Sequence, residues 1–463
     1  MSKQIYSRGG IDYKLLPAVV ALAWPTMLEQ LMQTAVQYID TAMVGSLGTE
    51  ATAAVGCTTT VQWLLGSTIS ALGIGFLSYI SQARGSGRNN AARKASAQSV
   101  LAVLICGILF TVLSLACAGA VPVWMQVDPG IQDMASRYFR ILYSSMLART
   151  AIIIFGTVLR SVGDAKTPML IGCGVNLINL VLNFLLIYPT RYIVLFGRRI
   201  LVHGADLGVE GAALASSAAI WVGGILVTIA LFRHKHISPA GYSINPDKSV
   251  LKQCLKVALP NALQRFGTSL GYVAFASMIN AMGDKSIAAH TIANTVESAF
   301  YIPGYGMQAA AATLAGNKFG AGDREGIKEL RKVITIVEAI LMVLSGGLLF
   351  IFAEPMVRIF TADAAVIAMS VVVLRLVALS EPFYGVSIVT EGMLMGMGKT
   401  MGPFVLNLVG MWGIRILGTW LCMNSGRGDL VSAWSCMIVH NLFLFLSFEV
   451  IYRKIMANKI RFL

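Results

Sequence analysis

The sequence predicts an all-α integral membrane protein, with twelve transmembrane helices in two parallel six-helix repeats around a central cleft. Three observations support this fold class: long apolar stretches, an uneven distribution of basic residues between loops, and an internal repeat. Of the 463 residues, 56% are hydrophobic and only 13% are charged, whereas a soluble chain has roughly a quarter charged residues. The composition therefore favours a membrane protein.

Twelve apolar stretches are long enough to cross a bilayer, which takes about 20 mostly apolar residues. We number them spans 1–12, and they cover residues 15–44, 53–83, 95–119, 135–159, 167–189, 211–232, 253–282, 287–317, 333–353, 365–397, 401–423 and 431–452. We expect no cleavable signal, because the first stretch is too long for one. The seven cysteines show no metal or redox spacing and are interpreted as small core residues.

Basic residues are concentrated in alternate loops. If the N-terminus is cytoplasmic, the inside segments hold 23 Lys and Arg, the outside segments hold 6, and 7 lie in or near spans. This positive-inside distribution predicts that both termini are cytoplasmic. It also explains the net charge of +14 without a nucleic-acid partner. One outside loop, between spans 5 and 6, departs from the rule because it holds Arg191, Arg198 and Arg199.

An internal repeat appears at an offset of 235 residues and needs no gap. The matched positions are Pro25 and Pro260, Gly48 and Gly283, Ala53-Ala54 and Ala288-Ala289, Gly85 and Gly320, Gly87 and Gly322, Leu159 and Leu394, Gly163 and Gly398, and Pro168 and Pro403. Each half holds six spans, so the halves run parallel and are related by an axis along the membrane normal.

The repeat predicts an N-lobe over residues 1–235, a cytoplasmic linker over 236–252 rich in Pro, Gly and Ser, and a C-lobe over 253–463. Transporters of this build bind substrate near the membrane midplane between their repeats. We therefore expect a transporter that works by alternating access. Phosphate-binding loops, nucleophile elbows and metal-ligand spacings are absent from the sequence, so we expect no enzyme activity and no metal site.

Three strings carry a resemblance to a known family: PTMLEQLMQTAVQYIDTAMVGSLGTEATAAVG in span 1 and its exit, GTVLRSVGDAKTPM between spans 4 and 5, and AGNKFGAGD between spans 8 and 9. Together with the twelve spans, they resemble the multidrug and toxic compound extrusion (MATE) family over essentially the whole chain. That family exports organic, often cationic or amphipathic, compounds, driven by inward flow of H⁺ or Na⁺. The resemblance implies a monomeric antiporter of the cell membrane, without a cofactor, whose partners are small organic substrates and membrane lipid.

The position of the acids points to one branch of this family. The NorM-like branch carries carboxylates in spans 7 and 10, but span 7 here contains no acid. The chain is therefore more similar to the DinF-like branch, whose essential carboxylate in span 1 matches Asp40. Gln30, Gln33 and Gln37 precede Asp40 at helical spacing and form one polar stripe.

Asp40 is the first candidate for ion coupling, because ionisable groups inside a membrane are expensive and mark functional sites. The alternative is a buried Asp that only hydrogen-bonds neighbouring helices. In the repeat, Asp40 corresponds to Phe275, so the ion site should be one-sided.

Partners for Asp40 are expected in spans 5 and 6. Asn176, Asn179 and Asn183 share one face of span 5. The resemblance to the MATE family implies a role for this face, because many members have an Asp at the position of Asn183 and an Asn at the position of Asn179. They also have a hydroxyl in span 6, for which Ser216 is the candidate here. A single carboxylate offsets the dehydration of Na⁺ less than two would. The cluster therefore favours H⁺ as the coupling ion, with Na⁺ left open. The alternative for the Asn row is interhelical hydrogen bonding.

A second group of residues is predicted to line the substrate cleft: Gln33, Gln37, Arg265, Glu297, Tyr301, Tyr305 and Glu381. Arg265 lies near the middle of span 7 and should have a carboxylate partner, for which Glu297 and Glu381 are the candidates. Aromatic rings suit varied amphipathic ligands, although ordinary packing would also explain them. Other acids, Glu29, Glu338, Glu391 and Glu449, are expected to be exposed near the inside ends of their helices.

Pro25 is the candidate hinge in span 1, because a proline removes a backbone hydrogen bond and lets a helix bend. The alternative is a rigid kink, with the lobes rocking as bodies. The alternative function is a flippase for lipid-linked oligosaccharides or related precursors, which needs a cationic cleft for pyrophosphate. Arg265, Arg149 and Arg375 keep that function open, while the twelve spans and Asp40 argue against it.

Overall fold

The computed structural model describes residues 15–195, 198–426 and 428–457. In the first half, the helices are α1 Leu15–Gly45, α2 Thr49–Gly85, α3 Asn89–Cys117, α4 Val121–Trp124, α5 Gln132–Tyr143, α6 Met146–Arg160, α7 Lys166–Leu186 and α8 Gly208–Arg233. In the second half, they are α9 Lys248–Asn280, α10 Asp284–Gly320, α11 Arg324–Arg358, α12 Ala364–Gly396, α13 Met401–Leu408, a π-helical segment Val409–Ile416, α14 Leu417–Asn424 and α15 Leu430–Ala457.

All twelve predicted spans fall on helices. Span 4 corresponds to the pair α5 and α6, which is bent by 46°, and span 11 runs through α13, the π-helical segment and α14. Among the described residues, nine helices are long and apolar enough to cross a membrane, and the bent pair makes a tenth. The other two predicted spans lie on α9 and α10, which are long but more polar.

The repeat is visible in the backbone as well as in the sequence. Helices α2 and α10 each have 37 residues, and both their first and last residues differ by the same offset of 235. The turns match too, because glycines with positive φ occur in corresponding pairs: Gly48 (119°) and Gly283 (97°), Gly87 (75°) and Gly322 (72°), Gly163 (94°) and Gly398 (73°). Only glycine adopts this conformation without strain. The repeat therefore preserves the same chain reversals in both halves.

A β-hairpin in the loop between α7 and α8 departs from the all-helical expectation. Strand β1, Pro189–Leu195, pairs antiparallel with strand β2, Arg198–Ala205. The guanidinium of Arg191 lies 4.3 Å from the ring centroid of Phe184 and 4.1 Å from that of Tyr188. These cation–π contacts give Arg191 a defined place in a loop that the positive-inside rule did not explain. The side chains of Arg198 and Arg199 lie outside the described part.

The chain divides into two compact units, which we call the N-unit and the C-unit. The N-unit comprises Leu28–Ile80 and Arg88–Ala262, and the C-unit comprises the chain up to Met27, Ser81–Gly87 and the chain from Leu263 onwards. The core of the C-unit includes Phe275 and Trp434, which are 1% exposed. The predicted lobe and linker boundaries stay a prediction.

The predicted linker is tied to the first turns of α3 within the N-unit. The Gln98 amide donates from Nε2 to the Asn245 carbonyl at 2.8 Å, and its Oε1 accepts from the Asp247 backbone N–H at 2.9 Å. Lys94 forms an ion pair with Asp247. The linker is therefore held by specific contacts where it leads into α9.

Candidate ion-coupling site

Asp40 lies near the end of α1 in a cluster of polar side chains from three helices of the N-unit. Nδ2 of Asn183 donates to Oδ1 of Asp40 at 2.6 Å, and it lies 3.2 Å from Oδ1 of Asn179. Nδ2 of Asn179 lies 3.0 Å from the Ser216 hydroxyl oxygen. Asn179 and Asn183 are 6% and 1% exposed. The four residues that the sequence predicted for ion coupling therefore meet in one place.

The Asn179 amide satisfies more partners when its oxygen and nitrogen exchange places. In that orientation, its nitrogen lies 3.0 Å and 3.1 Å from the two Asp40 carboxyl oxygens, and its oxygen accepts from the Ser216 hydroxyl at 3.0 Å. The orientation of an amide is assigned from such networks. Both asparagines then donate to the Asp40 carboxyl, which suits its ionised form.

The Asn183 amide oxygen has no hydrogen-bond partner in the described part of the chain. A buried acceptor without a donor is unfavourable by about 1–3 kcal/mol. A protonated Asp40 would bring an O–H donor to this cluster, whereas the carboxylate brings none. The carboxylate and the protonated acid would therefore make different hydrogen bonds with the neighbouring amides.

The sequence did not identify Tyr138 as a neighbour of this site. Tyr138 on α5 is buried and lies close enough to interact electrostatically with Asp40 and with Arg149. In the better-satisfied orientation of the Gln62 amide, its oxygen accepts from Arg149 at 2.6 Å. Nothing in the sequence signalled Tyr138, because a single tyrosine in an apolar span is usually a packing residue.

The remaining residues predicted on α1 have different environments. Gln33 and Gln37 are exposed, whereas Pro25 is buried, and α1 continues as one helix through Pro25. The predicted bending at Pro25 is not tested by one conformation and stays a prediction.

The expected partner of Arg265 was wrong. The carboxylate that interacts electrostatically with Arg265 is Glu391 on α12, rather than Glu297 or Glu381. Glu391 also accepts amide hydrogen bonds, from Gln264 at 2.5 Å, Asn407 at 3.0 Å and Gln308 at 3.2 Å. Glu381 and Glu391 lie ten residues apart on one helix, and their spacing alone could not show which one faces α9.

Glu297 interacts instead with Arg415, a residue to which the sequence reading assigned no role. Arg415 lies in the π-helical segment, is 4% exposed, and has its guanidinium 4.1 Å from the ring centroid of Phe275. Phe275 occupies the position that corresponds to Asp40 in the repeat. Glu297 and Glu381, both predicted to line the cleft, are only 6% and 1% exposed.

Three tyrosines form a cluster in the C-unit. The Tyr301 ring makes edge contacts with Tyr305 and Tyr384 at centroid distances of 5.9 Å and 6.0 Å. The hydroxyl groups of Tyr305 and Tyr384 lie 3.3 Å apart. Tyr305 is exposed, so this cluster presents an aromatic surface. Tyr301 and Tyr305 were predicted from the sequence, and Tyr384 was not.

The expected exposure of several acids was also wrong. Glu338 is fully buried, and Glu29 is buried in an ion pair with Arg160 at 2.5 Å. Glu449 forms ion pairs with Arg331 and Arg453, and Glu391 is held by the amides described above. These partners come from other helices or from later turns, so the position of an acid along its own span did not reveal them.

Comparisons with known proteins agree with this architecture. Residues 25–185 and 260–421 each match the family described as MatE, and the two matches begin 235 residues apart, at the offset of the repeat. A probable multidrug resistance protein NorM from Thermotoga maritima is 27% identical over 425 residues, covering 92% of this chain and 89% of that protein. A multidrug resistance protein MdtK from Edwardsiella ictaluri is 24% identical, with 85% of each chain covered.

Solved structures share the fold. A MATE protein in a straight conformation has a TM-score of 0.87 at 22% identity, covering 98% of this chain and 99% of that one. A MATE protein in a bent conformation has a TM-score of 0.86 at 21% identity, covering 95% of each chain. The DinF-like branch stays a prediction, since the relatives' names do not identify the residues that define it. The two family matches cover more than half of the chain, so this multi-pass membrane protein belongs to the MatE family.

Proposed function

We propose that this protein is a secondary antiporter of the cell membrane, which exports small organic, cationic or amphipathic compounds in exchange for protons. The observation that carries the proposal is the Asp40 carboxyl, bound by the amide of Asn183 in a buried cluster of the N-unit. The substrate class is supported by relatives named as multidrug resistance proteins. We further propose that the protein acts as a monomer, with both termini in the cytoplasm.

The amide orientations support protons over Na⁺ as the coupling ion. A hard cation such as Na⁺ is bound by converging oxygen atoms. Around Asp40, the Asn183 amide points its nitrogen towards the carboxyl, and the better-satisfied Asn179 amide does the same. Binding of Na⁺ would require the Asn183 amide to turn its oxygen towards the site and would leave only one carboxylate to balance the ion.

Coupling requires that protonation of Asp40 favours one conformation over the other. The carboxylate accepts from the asparagine amides, whereas the protonated acid can itself donate, so the two forms stabilise different arrangements of α1 and α7. A tenfold difference in proton affinity between the two conformations corresponds to about 1.4 kcal/mol. Bending of α1 at Pro25 is a candidate for this change. Two of the similar solved structures are described as a MATE protein in a straight and in a bent conformation. Those descriptions apply to the solved proteins and not to this chain.

The aromatic cluster of Tyr301, Tyr305 and Tyr384 is a candidate surface for substrates. Aromatic faces attract cationic groups by about 0.5–2 kcal/mol, depending on how far the site is desolvated. The exposed Gln33 and Gln37 on α1 offer hydrogen bonds without net charge. Each of these two surfaces, taken within its own unit, offers contacts that suit organic cations of varied shape.

The flippase alternative receives less support from the arginines that kept it open. Arg265 interacts with Glu391, and Arg149 is positioned to donate to Gln62. Arg375 is exposed and lies 5.6 Å from the ring centroid of Phe350. Glu391 offsets the charge of Arg265, and Gln62 occupies hydrogen-bond donors of Arg149, which leaves less of this cationic group available for a pyrophosphate.

Transport into proteoliposomes would test the proposal. An imposed pH gradient should drive movement of an organic cation without Na⁺, and Asp40→Asn should abolish that movement while the protein stays folded. The matched control is Asp133→Asn, because Asp133 is an exposed acid that pairs with Arg137 on the same helix. Normal transport by Asp40→Asn, or a strict requirement for Na⁺, would contradict the proposed coupling.

A further inference from the structure

Three buried glutamates occupy adjacent helices of the C-unit, and the Asp40 mechanism uses none of them. They are Glu297 on α10, Glu338 on α11 and Glu381 on α12, with exposures of 6%, 0% and 1%. Glu381 lies close enough to Glu297 and to Glu338 to interact electrostatically with both. Burial of three acids, one of which interacts with the other two, is expensive inside a membrane protein and needs an explanation.

Glu338 is held between two glycines on the neighbouring helices. A Cβ atom added at Gly304 on α10 or at Gly385 on α12 would lie 2.9 Å or 2.8 Å from Oε1 of Glu338. Such distances are too short for real contacts, so a larger residue at Gly304 would displace the carboxyl, whereas one at Gly385 would first meet Cγ of Met342 at 2.3 Å. The packing of α10, α11 and α12 therefore leaves a space for this carboxyl group.

Glu381 lies on the same face of α12 as Gly385, because residues four apart on a helix are neighbours. A Cβ atom added at Gly346 on α11 would lie 3.3 Å from the Glu381 Cβ, so Glu381 also faces α11. Met342 packs against Gly385 between the two acids. Glu338 and Glu381 thus follow one another along the same helix interface.

Neither carboxyl group has a hydrogen-bond partner among the described residues: both oxygens of Glu338 and both oxygens of Glu381 are buried and unpaired. An ionised carboxylate in this position would be uncompensated and therefore strongly unfavourable. A protonated carboxyl avoids most of that cost. The packing therefore suits the neutral acids.

The charges around the two acids do not neutralise them. Arg415 in the π-helical segment interacts with Glu297, and His440 on α15 also lies near that arginine. The Tyr301 hydroxyl interacts electrostatically with Glu297 and Glu381, and it lies near the Tyr305 and Tyr272 hydroxyls. Tyr384 belongs to the same tyrosine cluster, and His290 lies near Arg415. One cation can balance one of three carboxylates, so the other two need protons.

We propose that Glu338 and Glu381 form a second proton-binding site, in the C-unit, which exchanges its protons with water during the conformational cycle. The ligand is a proton rather than a metal ion, because no group of three or more His, Cys, Asp or Glu side chains in the described residues could hold a metal. Loss of a proton from Glu338 places a charge against the backbone of α10 and α12. The charge requires either entry of water or separation of these helices, which links their packing to proton binding.

Infrared difference spectroscopy of the purified protein in lipid would test this site without measuring transport. A protonated carboxyl has its own carbonyl stretch, and spectra would be compared between about pH 5 and pH 9. The variants are Glu338→Gln and Glu381→Gln, with Glu354→Gln as the matched control. Glu354 lies on the same helix as Glu338, but it is exposed and pairs with Arg358.

We expect Glu338→Gln to remove a carboxyl signal that responds to pH, and Glu381→Gln to move the midpoint of the remaining response by about one pH unit or more. Glu354→Gln should leave the signal unchanged. A spectrum that is identical in wild type and Glu338→Gln, or a carboxyl signal that does not respond to pH, would overturn the proposal. If Glu338→Gln does not fold, Gly304→Ala should shift the same signal, because Oε1 of Glu338 is the atom nearest to the added Cβ; no shift there would also overturn the proposal.

This site is separable from the coupling proposed at Asp40. The variant Asp40→Asn should keep the Glu338 signal, because the two residues belong to different units. If Asp40→Asn loses transport but no variant shows a Glu338 signal, the proposed function is supported and the second site is refuted. If Asp40→Asn transports normally and the Glu338 signal is present, the second site is supported and the Asp40 mechanism is refuted.

Discussion

The ion pair between Glu29 and Arg160 offers a sharp test of how the two halves of the chain differ. Nη2 of Arg160 lies 2.5 Å from Oε2 of Glu29, and the side chains are 16% and 7% exposed. In the repeat, these positions correspond to Gln264 and Met395. The second half therefore supplies neutral residues for the same two places, and the test introduces them as Glu29→Gln, Arg160→Met and the double variant.

Each single variant should be strongly destabilised, whereas the double variant should recover most of the loss. Removal of one partner of a buried ion pair costs about 3–5 kcal/mol, because the other charge stays buried without its counter-charge. The partial exposure of Arg160 places the expected loss near the lower end of that range. Replacement of both charges by neutral groups of similar size is close to neutral in energy.

Thermal and denaturant unfolding of the purified variants would measure these differences in the free energy of unfolding. We expect wild type and the double variant to have similar free energies of unfolding, and both single variants to have much lower ones. A double variant that is as unstable as the worse single variant would refute the reasoning. In that case, the pair would be held by contacts that its neutral counterparts cannot replace.

Three further predictions concern other parts of the chain. Asn183→Asp should add a second carboxylate beside Asp40 and raise Na⁺ affinity, measured as Na⁺-stimulated transport; no stimulation would count against the ion assignment. The ion pair with Lys94 lowers the pKa of Asp247, so Asp247 should stabilise the attachment of the linker above its unfolded pKa of about 3.9. This stabilisation should be lost as the pH falls through the pKa of Asp247 in the folded protein, which would be measured as faster hydrogen exchange in the linker. The variant Asp247→Asn should show the faster exchange already near neutral pH. Pro25→Ala should reduce any pH-dependent change in distance between labels on α1 and α7, and an unchanged response would favour rigid rocking.

The backbone could be predicted from the sequence because its signals are repeated and redundant. Twelve apolar stretches marked the helices, and glycines at corresponding turns, such as Gly48 and Gly283, marked the two halves. The Asp40 cluster could also be predicted, because Asn179 and Asn183 lie on one face of a single helix and the family resemblance aligned them with Asp40. In each case, several positions carried the same information.

The polar partners in the C-unit could not be predicted in the same way. The sequence around Glu338 does not distinguish it from the rest of its span. The residues that make room for its carboxyl group are glycines on two other helices, about 30–50 residues away in the chain. Glu391 likewise receives its hydrogen bonds from three different segments. Such contacts depend on how helices rotate against one another, and apolar spans of nearly uniform composition leave that rotation undetermined.

Arg415 shows the physical reason most clearly. It lies at the end of a π-helical segment, where each turn contains about one residue more than in an α-helix, so the side chains beyond it point in different directions from those of a regular helix. The corresponding position in the first half is Leu180, on the regular helix α7. A repeat that preserves the turns can thus place a buried cation in one half with no counterpart in the other. Arg415 beside Glu297, and Phe275 at the position that corresponds to Asp40, therefore show that the two halves bury different charges although they share the same turns.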